Sequence, residues 1–217
     1  MFIAPNSYID YERIIKYYPL LVEDMNEWLK THTPEKDSVG VYDNRYGDGW
    51  VEQPKNLEEQ LHKDDWKSIP VYFERKWNME VFKKSWENLS TLRGVYQVMI
   101  NFIAPNGKIT SHKDHGGWGK IREDFNRDDI EGYSLIATVQ TGMINLEEKT
   151  VGTECNGVVK YPLQHQWHCF DGYNKDHSIW NYTNTWRISA VFDIDKKYFN
   201  EEYITTSKDV CDKSYKL

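Results

Sequence analysis

Two short clusters in this sequence carry side chains able to do chemistry. In the first, residues 109–115 read I-T-S-H-K-D-H, so His112 and Asp114 stand two apart and share one face of an extended backbone. In the second, residues 176–193 read D-H-S-I-W-N-Y-T-N-T-W-R-I-S-A-V-F-D, which places His177 ten positions before Arg187. A single histidine in an apolar context is usually structural. Two histidines with a carboxylate are different, because two imidazole nitrogens and one oxygen can cap one side of a divalent metal and leave the other side open. Arg187 and Ser189 share a strand face, and a guanidinium beside a hydroxyl forms a fork suited to a small carboxylic acid.

A triad of that kind, with three open positions, serves non-haem Fe(II) oxygenases. A bidentate 2-oxo acid and O2 would fill those positions. His112-x-Asp114, the distal His177 and Arg187-x-Ser189 together resemble the signature of the 2-oxoglutarate- and Fe(II)-dependent oxygenases. Residues 177–194, H-S-I-W-N-Y-T-N-T-W-R-I-S-A-V-F-D-I, are most similar to the aspartyl/asparaginyl beta-hydroxylase-like branch, and the likeness spans residues 95–195.

The resemblance implies that His112, Asp114 and His177 hold Fe(II), that Arg187 and Ser189 anchor the distal carboxylate of 2-oxoglutarate, and that O2 is the oxidant. It implies hydroxylation of an amino-acid residue in a protein or peptide, of aspartyl/asparaginyl or prolyl type, with succinate and CO2 as coproducts. Two alternatives stand beside it: a hydroxylase of a free amino acid or small metabolite, and a non-catalytic jelly-roll protein that binds a metal or a carboxylate. The chain departs from the branch between the two clusters. There S-L-I-A-T-V-Q-T lacks the basic residues that often face the cosubstrate, so binding rests on Arg187, Ser189 and Asn101. Asp114 is present where human-type enzymes of the branch lack the carboxylate.

Other histidines compete for these roles. His115 could ligate in place of His112, but His112 shares parity with Asp114 and fits the family order. His165 and His168 would suit zinc on a helix, yet Y-P-L-Q-H-Q-W-H-C-F-D is strand-like and reads as structural. His32 and His62 fall in surface helical contexts. No nucleophile elbow, phosphate loop or dinucleotide fingerprint is present, which leaves hydrolase and nucleotide-binding functions without support.

The elements that must position these residues are mostly strands. Residues 94–104, 109–114, 134–143, 158–162, 166–171, 177–182 and 186–194 are β-rich and separated by turn signals. Many short strands favour two packed sheets, here a double-stranded β-helix or jelly roll of cupin type. Along 186–194, Ile188, Ala190, Phe192 and Ile194 form a wholly apolar face and should be core. If 177–182 and 186–194 pair as a hairpin, an odd-numbered loop such as 183–185, or a β-bulge that restores the parity, is needed to bring His177 and Arg187 to one face.

Ahead of the strands, apolar steps of three and four over residues 10–31 define an amphipathic helix interrupted by Pro19. Residues 54–66 and 77–92 are expected to be helical, and 33–53 to be a long surface loop or an irregular edge strand, able to act as a lid. The whole chain is read as one oxygenase domain: a mainly helical buttress over 1–93, a jelly-roll core over 94–195 and a tail over 196–217.

Composition narrows the partners. The 217 residues carry 27 basic against 34 acidic side chains, a net charge of −7 with no basic stripe, so nucleic acid is not an expected ligand. Three cysteines, Cys155, Cys169 and Cys211, show no metal spacing and read as reduced thiols. No apolar run reaches the ~18 residues of a membrane span, and no signal-like start is seen, so a cytoplasmic protein is expected. Aromatics make up 15% of the chain and are read as core and sheet filling.

Overall fold

A computed structural model of the protein describes residues 1–37, 39–40, 66–73, 76–114, 120–122, 125–126, 131–142 and 147–200. Its strands are β1 (Phe2–Ile3), β2 (Val39–Gly40), β3 (Trp66–Phe73), β4 (Lys76–Trp77), β5 (Val95–Ile103), β6 (Gly107–His112), β7 (Lys120–Arg122), β8 (Phe125–Asn126), β9 (Gly132–Gln140), β10 (Val151–Cys155), β11 (Val158–Lys160), β12 (Trp167–Phe170), β13 (His177–Asn181) and β14 (Arg187–Asp195). The helices are α1 (Tyr11–Leu29), α2 (Pro34–Asp37) and α3 (Trp86–Leu89).

The large sheet runs β1-β12-β9-β14-β5-β3-β2, with β4 on β3, and the small sheet runs β11-β10-β13-β6. From β5 onward the chain passes back and forth between them: β5, β9, β12 and β14 lie in the large sheet, and β6, β10, β11 and β13 in the small one. Every pairing among the described strands is antiparallel. This is a double-stranded β-helix, the mostly β jelly roll that the strand pattern led one to expect.

Alternation along β14 divides its residues between two environments. Ile188, Ala190, Phe192 and Ile194 are buried in the main core, together with Ile14, Tyr18, Leu21, Val22 and Met25 from the apolar stripe of α1. Each such side chain contributes about 1.5–3 kcal/mol on burial, so the helix closes the outer face of the large sheet firmly. Pro19 lies inside α1 and the helix runs through it without restarting. The other face of β14, from Arg187 to Asp193, looks into the space between the sheets.

Three expectations need correction or limits. β13 and β14 do not form a hairpin: β13 pairs with β6 and β10, while β14 pairs with β5 and β9. Residues 182–186 instead carry the chain across from one sheet to the other. The buried Asn181 organises that crossing, its Nδ2 donating to the carbonyls of Ile103, Ala104 and Thr185 and its Oδ1 accepting from Thr183 Oγ1 at 2.7 Å. Next, only Trp86–Leu89 of the expected helix over 77–92 is α-helical. The preceding turns wrap the buried Asp24 carboxylate, which accepts from Lys84 N, Ser85 N and Ser85 Oγ.

Finally, the strands β3 and β4 join the helices in the N-terminal part, and Trp66 opens β3 rather than ending a helix. The remainder of the expected helix over 54–66, the possible lid from 41 onward, His62, His115, Met143, Cys211 and the tail beyond 200 lie outside the described residues. No described helix is long and apolar enough to cross a membrane.

Candidate metal centre and its cavity

His112 and His177 come from neighbouring strands of the small sheet and stand directly opposite one another in the register of β6 and β13. The register shifts between His177 and Ile179, where Ile109 and His112 on β6 face a span one residue shorter on β13. That bulge lets both Ile109 and His112 line the cavity although they are three apart, which a regular strand forbids. Asp114 follows the end of β6 and is fixed by its own amide, which donates to the carbonyl of Gly172 at 3.0 Å.

The three side chains converge. His112 Nε2 lies 3.5 Å from Asp114 Oδ1, and His177 Nε2 lies 3.7 Å from Asp114 Oδ2. One ligand atom from each of the three falls within 4.8 Å of the others. Each imidazole also has its second nitrogen engaged: Nδ1 of His112 donates to Thr110 O at 2.7 Å and Nδ1 of His177 to Lys175 O at 3.2 Å. This fixes the tautomer that leaves both Nε2 lone pairs facing Asp114, as ligation requires. Burial works against a charge on His112, yet hydrogen bonding and attraction from Asp114 carry its pKa above the usual imidazole value. Burial keeps the His177 pKa below it. Two nitrogens and one anionic oxygen fit a divalent transition metal.

The triad sits on the wall of a cavity between the sheets, lined among others by Trp66, Asn101, Ile109, Ile136 and Val191. The inward face of the large sheet is built in rows, because directly opposed residues on adjacent strands share a face. One row is polar: Ser68 on β3, Asn101 on β5, Ser189 on β14 and Thr138 on β9. The next is apolar, with Met99, Val191 and Ile136, and ends at His168 on β12. The third, on the side of Phe170 and the triad, holds Gln97, Asp193 and Ser134. There Asp193 accepts from Gln97 Nε2 at 2.7 Å and Ser134 Oγ at 2.8 Å.

Arg187 lies beyond the polar row and is fully buried. Its side chain reaches across to the small sheet, where Nη1 donates to the carbonyls of Gly152 and Trp180 and Nη2 to Thr153 Oγ1. No carboxylate among the described residues pairs with it, and burial lowers its pKa to about 9. Nε has no partner, nor do the buried hydroxyls of Ser189, Thr138 and Ser68. A buried polar group left without a partner costs about 1–3 kcal/mol, so these atoms call for water or a polar ligand.

Of the residues singled out in the sequence, His112, Asp114, His177 and Asn101 therefore line one cavity, and Arg187 and Ser189 lie in the same inter-sheet space without lining its open part. Sequence reasoning paired Gln97 with Asn101 as polar strand residues facing water or a ligand, and missed Trp66, Ser68, Asp193 and Ser134. It also read His168 as an ordinary structural residue. His168 is fully buried with neither ring nitrogen bonded, and burial, reinforced by the charges of Arg187 and Lys160, holds its pKa down to about 3, so the ring is neutral. A polar residue on an inward strand position was the available signal.

No protein-family model matches the chain. No curated protein matches it by sequence. By structure it is similar to an oxidoreductase of the 2OG-Fe(II) oxygenase family from Burkholderia pseudomallei, at 13% identity and a TM-score of 0.46, over 64% of this chain and 72% of that one. It is also similar to the cupin domain of an XRE-family transcriptional regulator from Enterobacter cloacae, at 10% identity and 0.37, over 60% and 96%. A third likeness is to a predicted oxalate decarboxylase from Thermotoga maritima, at 13% identity and 0.34, over 60% and 80%.

Proposed function

We propose that the protein is an Fe(II)- and 2-oxoglutarate-dependent oxygenase that hydroxylates an amino-acid side chain within a protein or peptide, in the manner of the aspartyl/asparaginyl beta-hydroxylase-like branch. One observation carries the reading: a His-Asp-His triad and a buried guanidinium with no counter-ion among the described residues share one inter-sheet space. Iron, with the 2-oxo acid and O2, supplies the oxidising power to hydroxylate a C–H bond while the acid is converted to succinate and CO2.

The chain's own residues have separate tasks. His112, Asp114 and His177 hold the metal from one side, and the carbonyls of Thr110 and Lys175 keep the imidazoles in the ligating tautomer. Arg187 offers its Nε edge to the distal carboxylate, and Ser189 adds a hydroxyl from the same face. Ile109, Ile179, Met99, Val191, Ile136 and Phe170 form apolar walls that exclude water from the reacting centre. Trp66 and Asn101 sit on the β3–β5 side beside His112, where they can meet the substrate.

Calorimetry with Mn(II) as an inert stand-in tests the site. Wild-type protein is expected to bind one Mn(II) and, only then, 2-oxoglutarate tightly; His177→Ala is expected to lose both. Full metal stoichiometry in that variant would mean that His177 is not a ligand. A substrate screen with peptides and free amino acids separates a residue hydroxylase from a small-molecule one.

A further inference from the structure

His168 is the most unusual side chain of the interior. It stands on β12 directly opposite Ile136 of β9 and therefore faces the inter-sheet space, as Ile136 and Phe170 do. It has no solvent exposure, and both ring nitrogens lack partners. The Phe2 ring lies 6.2 Å from it and the Phe170 ring stacks at 6.0 Å, so aromatic faces flank the imidazole while its polar edge stays unsatisfied. A neutral imidazole always carries one N–H, and a buried N–H is nearly always bonded.

The surroundings say what kind of atom is missing. Two residues along β9 from Ile136 is Thr138, whose hydroxyl is also unpartnered, and opposite Thr138 is Ser189, likewise unpartnered. Arg187 follows on the same face of β14 with its Nε unsatisfied. Across the gap, Thr153 accepts from Arg187 and is the register partner of Lys160, a buried lysine whose ammonium lies over the Phe2 ring. Cations, hydroxyls and an imidazole gather here, and their common complement is an anion with several acceptor positions. A second metal is disfavoured by the two positive charges.

We infer that His168 donates a hydrogen bond to the carboxylate held by Arg187 and Ser189, so that Arg187 Nε, Ser189 Oγ, Thr138 Oγ1 and the His168 ring together form a carboxylate-selective site in the inter-sheet space beyond the open cavity. The inference rests on the proposed function and adds a residue that selects a dicarboxylic 2-oxo acid over one without the distal carboxylate. It also explains why a polar ring faces inward on a strand whose other face, Trp167 and Cys169, is core.

The test is calorimetry on full-length, Mn(II)-loaded wild type, His168→Phe and His168→Gln, each titrated with 2-oxoglutarate and with 2-oxobutyrate, which lacks the distal carboxylate. His168→Phe keeps the ring and removes the donor; it is expected to weaken 2-oxoglutarate by roughly 10-fold or more, the scale of one hydrogen bond to a charged group. His168→Gln keeps an N–H and is expected to recover to within about threefold of wild type, with 2-oxobutyrate affinity equal in all three. Unchanged 2-oxoglutarate affinity in His168→Phe would overturn the inference and leave the proposed function standing. A wild-type protein with no affinity for either acid would overturn both. A second measurement needs no variant: in 15N-labelled, zinc-loaded wild type, saturating 2-oxoglutarate but not 2-oxobutyrate should shift the His168 ring nitrogens, and their failure to move would equally rule the contact out.

Discussion

The carbonyl of Gly172 accepts the amide N–H of Asp114 at 3.0 Å, and a Cβ added to Gly172 would stand only 2.8 Å from Asp114 Oδ2 and 3.3 Å from Cε1 of His177. The backbone at 172 thus fixes one ligand while its missing side chain leaves room for two. Glycine is needed here for close approach and not for an unusual backbone angle.

Gly172→Ala is accordingly expected to push the Asp114 carboxylate off its position and lower metal affinity by roughly 10–100-fold, the usual range for loss of support around a ligand. Mn(II) calorimetry checks this, with circular dichroism to confirm an intact fold. Metal affinity equal to wild type would show that the carboxylate has slack that the geometry does not suggest.

At Arg187, replacement by lysine keeps a positive charge and removes the planar fork. Arg187→Lys is expected to raise the 2-oxoglutarate concentration required for binding by about 10-fold or more while metal loading changes little. Titrations of metal and acid on the same preparation separate the two effects. An unchanged requirement for the acid would move the anchoring role to another cation.

Asn181 makes a prediction about stability alone. Its Nδ2 serves three carbonyls at the crossing between the sheets, and Asn181→Leu removes that shared donor from a buried setting, leaving Ala104 O to the Gly107 amide and Thr185 O to Thr183 Oγ1. A loss of about 2–4 kcal/mol is expected in urea unfolding, with the midpoint falling and the slope unchanged. A loss below about 0.5 kcal/mol, the range of a surface substitution, would mean that the crossing is held by other contacts.

Asp10 supplies a pH dependence. Hydrogen bonding from the Arg93 side chain, against an opposing effect of burial, holds its pKa at about 2, down from 3.8. A carboxylate whose folded pKa is depressed contributes its full stability above the unfolded value and loses it as pH falls toward the folded one. Asp10→Asn is therefore expected to cost about 1–2 kcal/mol at neutral pH, reduced by the solvent exposure of Arg93, with the difference shrinking as pH falls below about 4 to a few tenths of a kcal/mol at about pH 2. Unfolding of both proteins from pH 7 to 2 measures it. A constant difference across that range would contradict the ion pair as its source.

Much of this was legible in the sequence because alternation is a local property. The strict parity of residues 187–194 gave both the apolar core face and the inward face, and the two-residue step from His112 to Asp114 placed both on one side. The hairpin was misread for the same reason. Parity fixes which side chains share a face of one strand, but not which sheet the next strand joins, and Asn181 sends the chain across through side-chain bonds that no periodicity reports. His177 and Arg187 thus face the same space from opposite sheets. The bulge at 109–112, the strand β3 with its central Pro70, and the Gly172 contact likewise depend on partners far away in the chain.

The most direct measurement of the central claim is the conversion of 2-oxoglutarate to succinate by the iron-loaded protein in air, without any added substrate. Slow succinate formation is expected, dependent on Fe(II) and O2, abolished in His177→Ala and strongly reduced at limiting 2-oxoglutarate in Arg187→Lys. If the iron-loaded protein binds metal and acid yet forms no succinate, even with candidate peptides and amino acids present, the protein is a binding jelly roll and the oxygenase assignment is wrong.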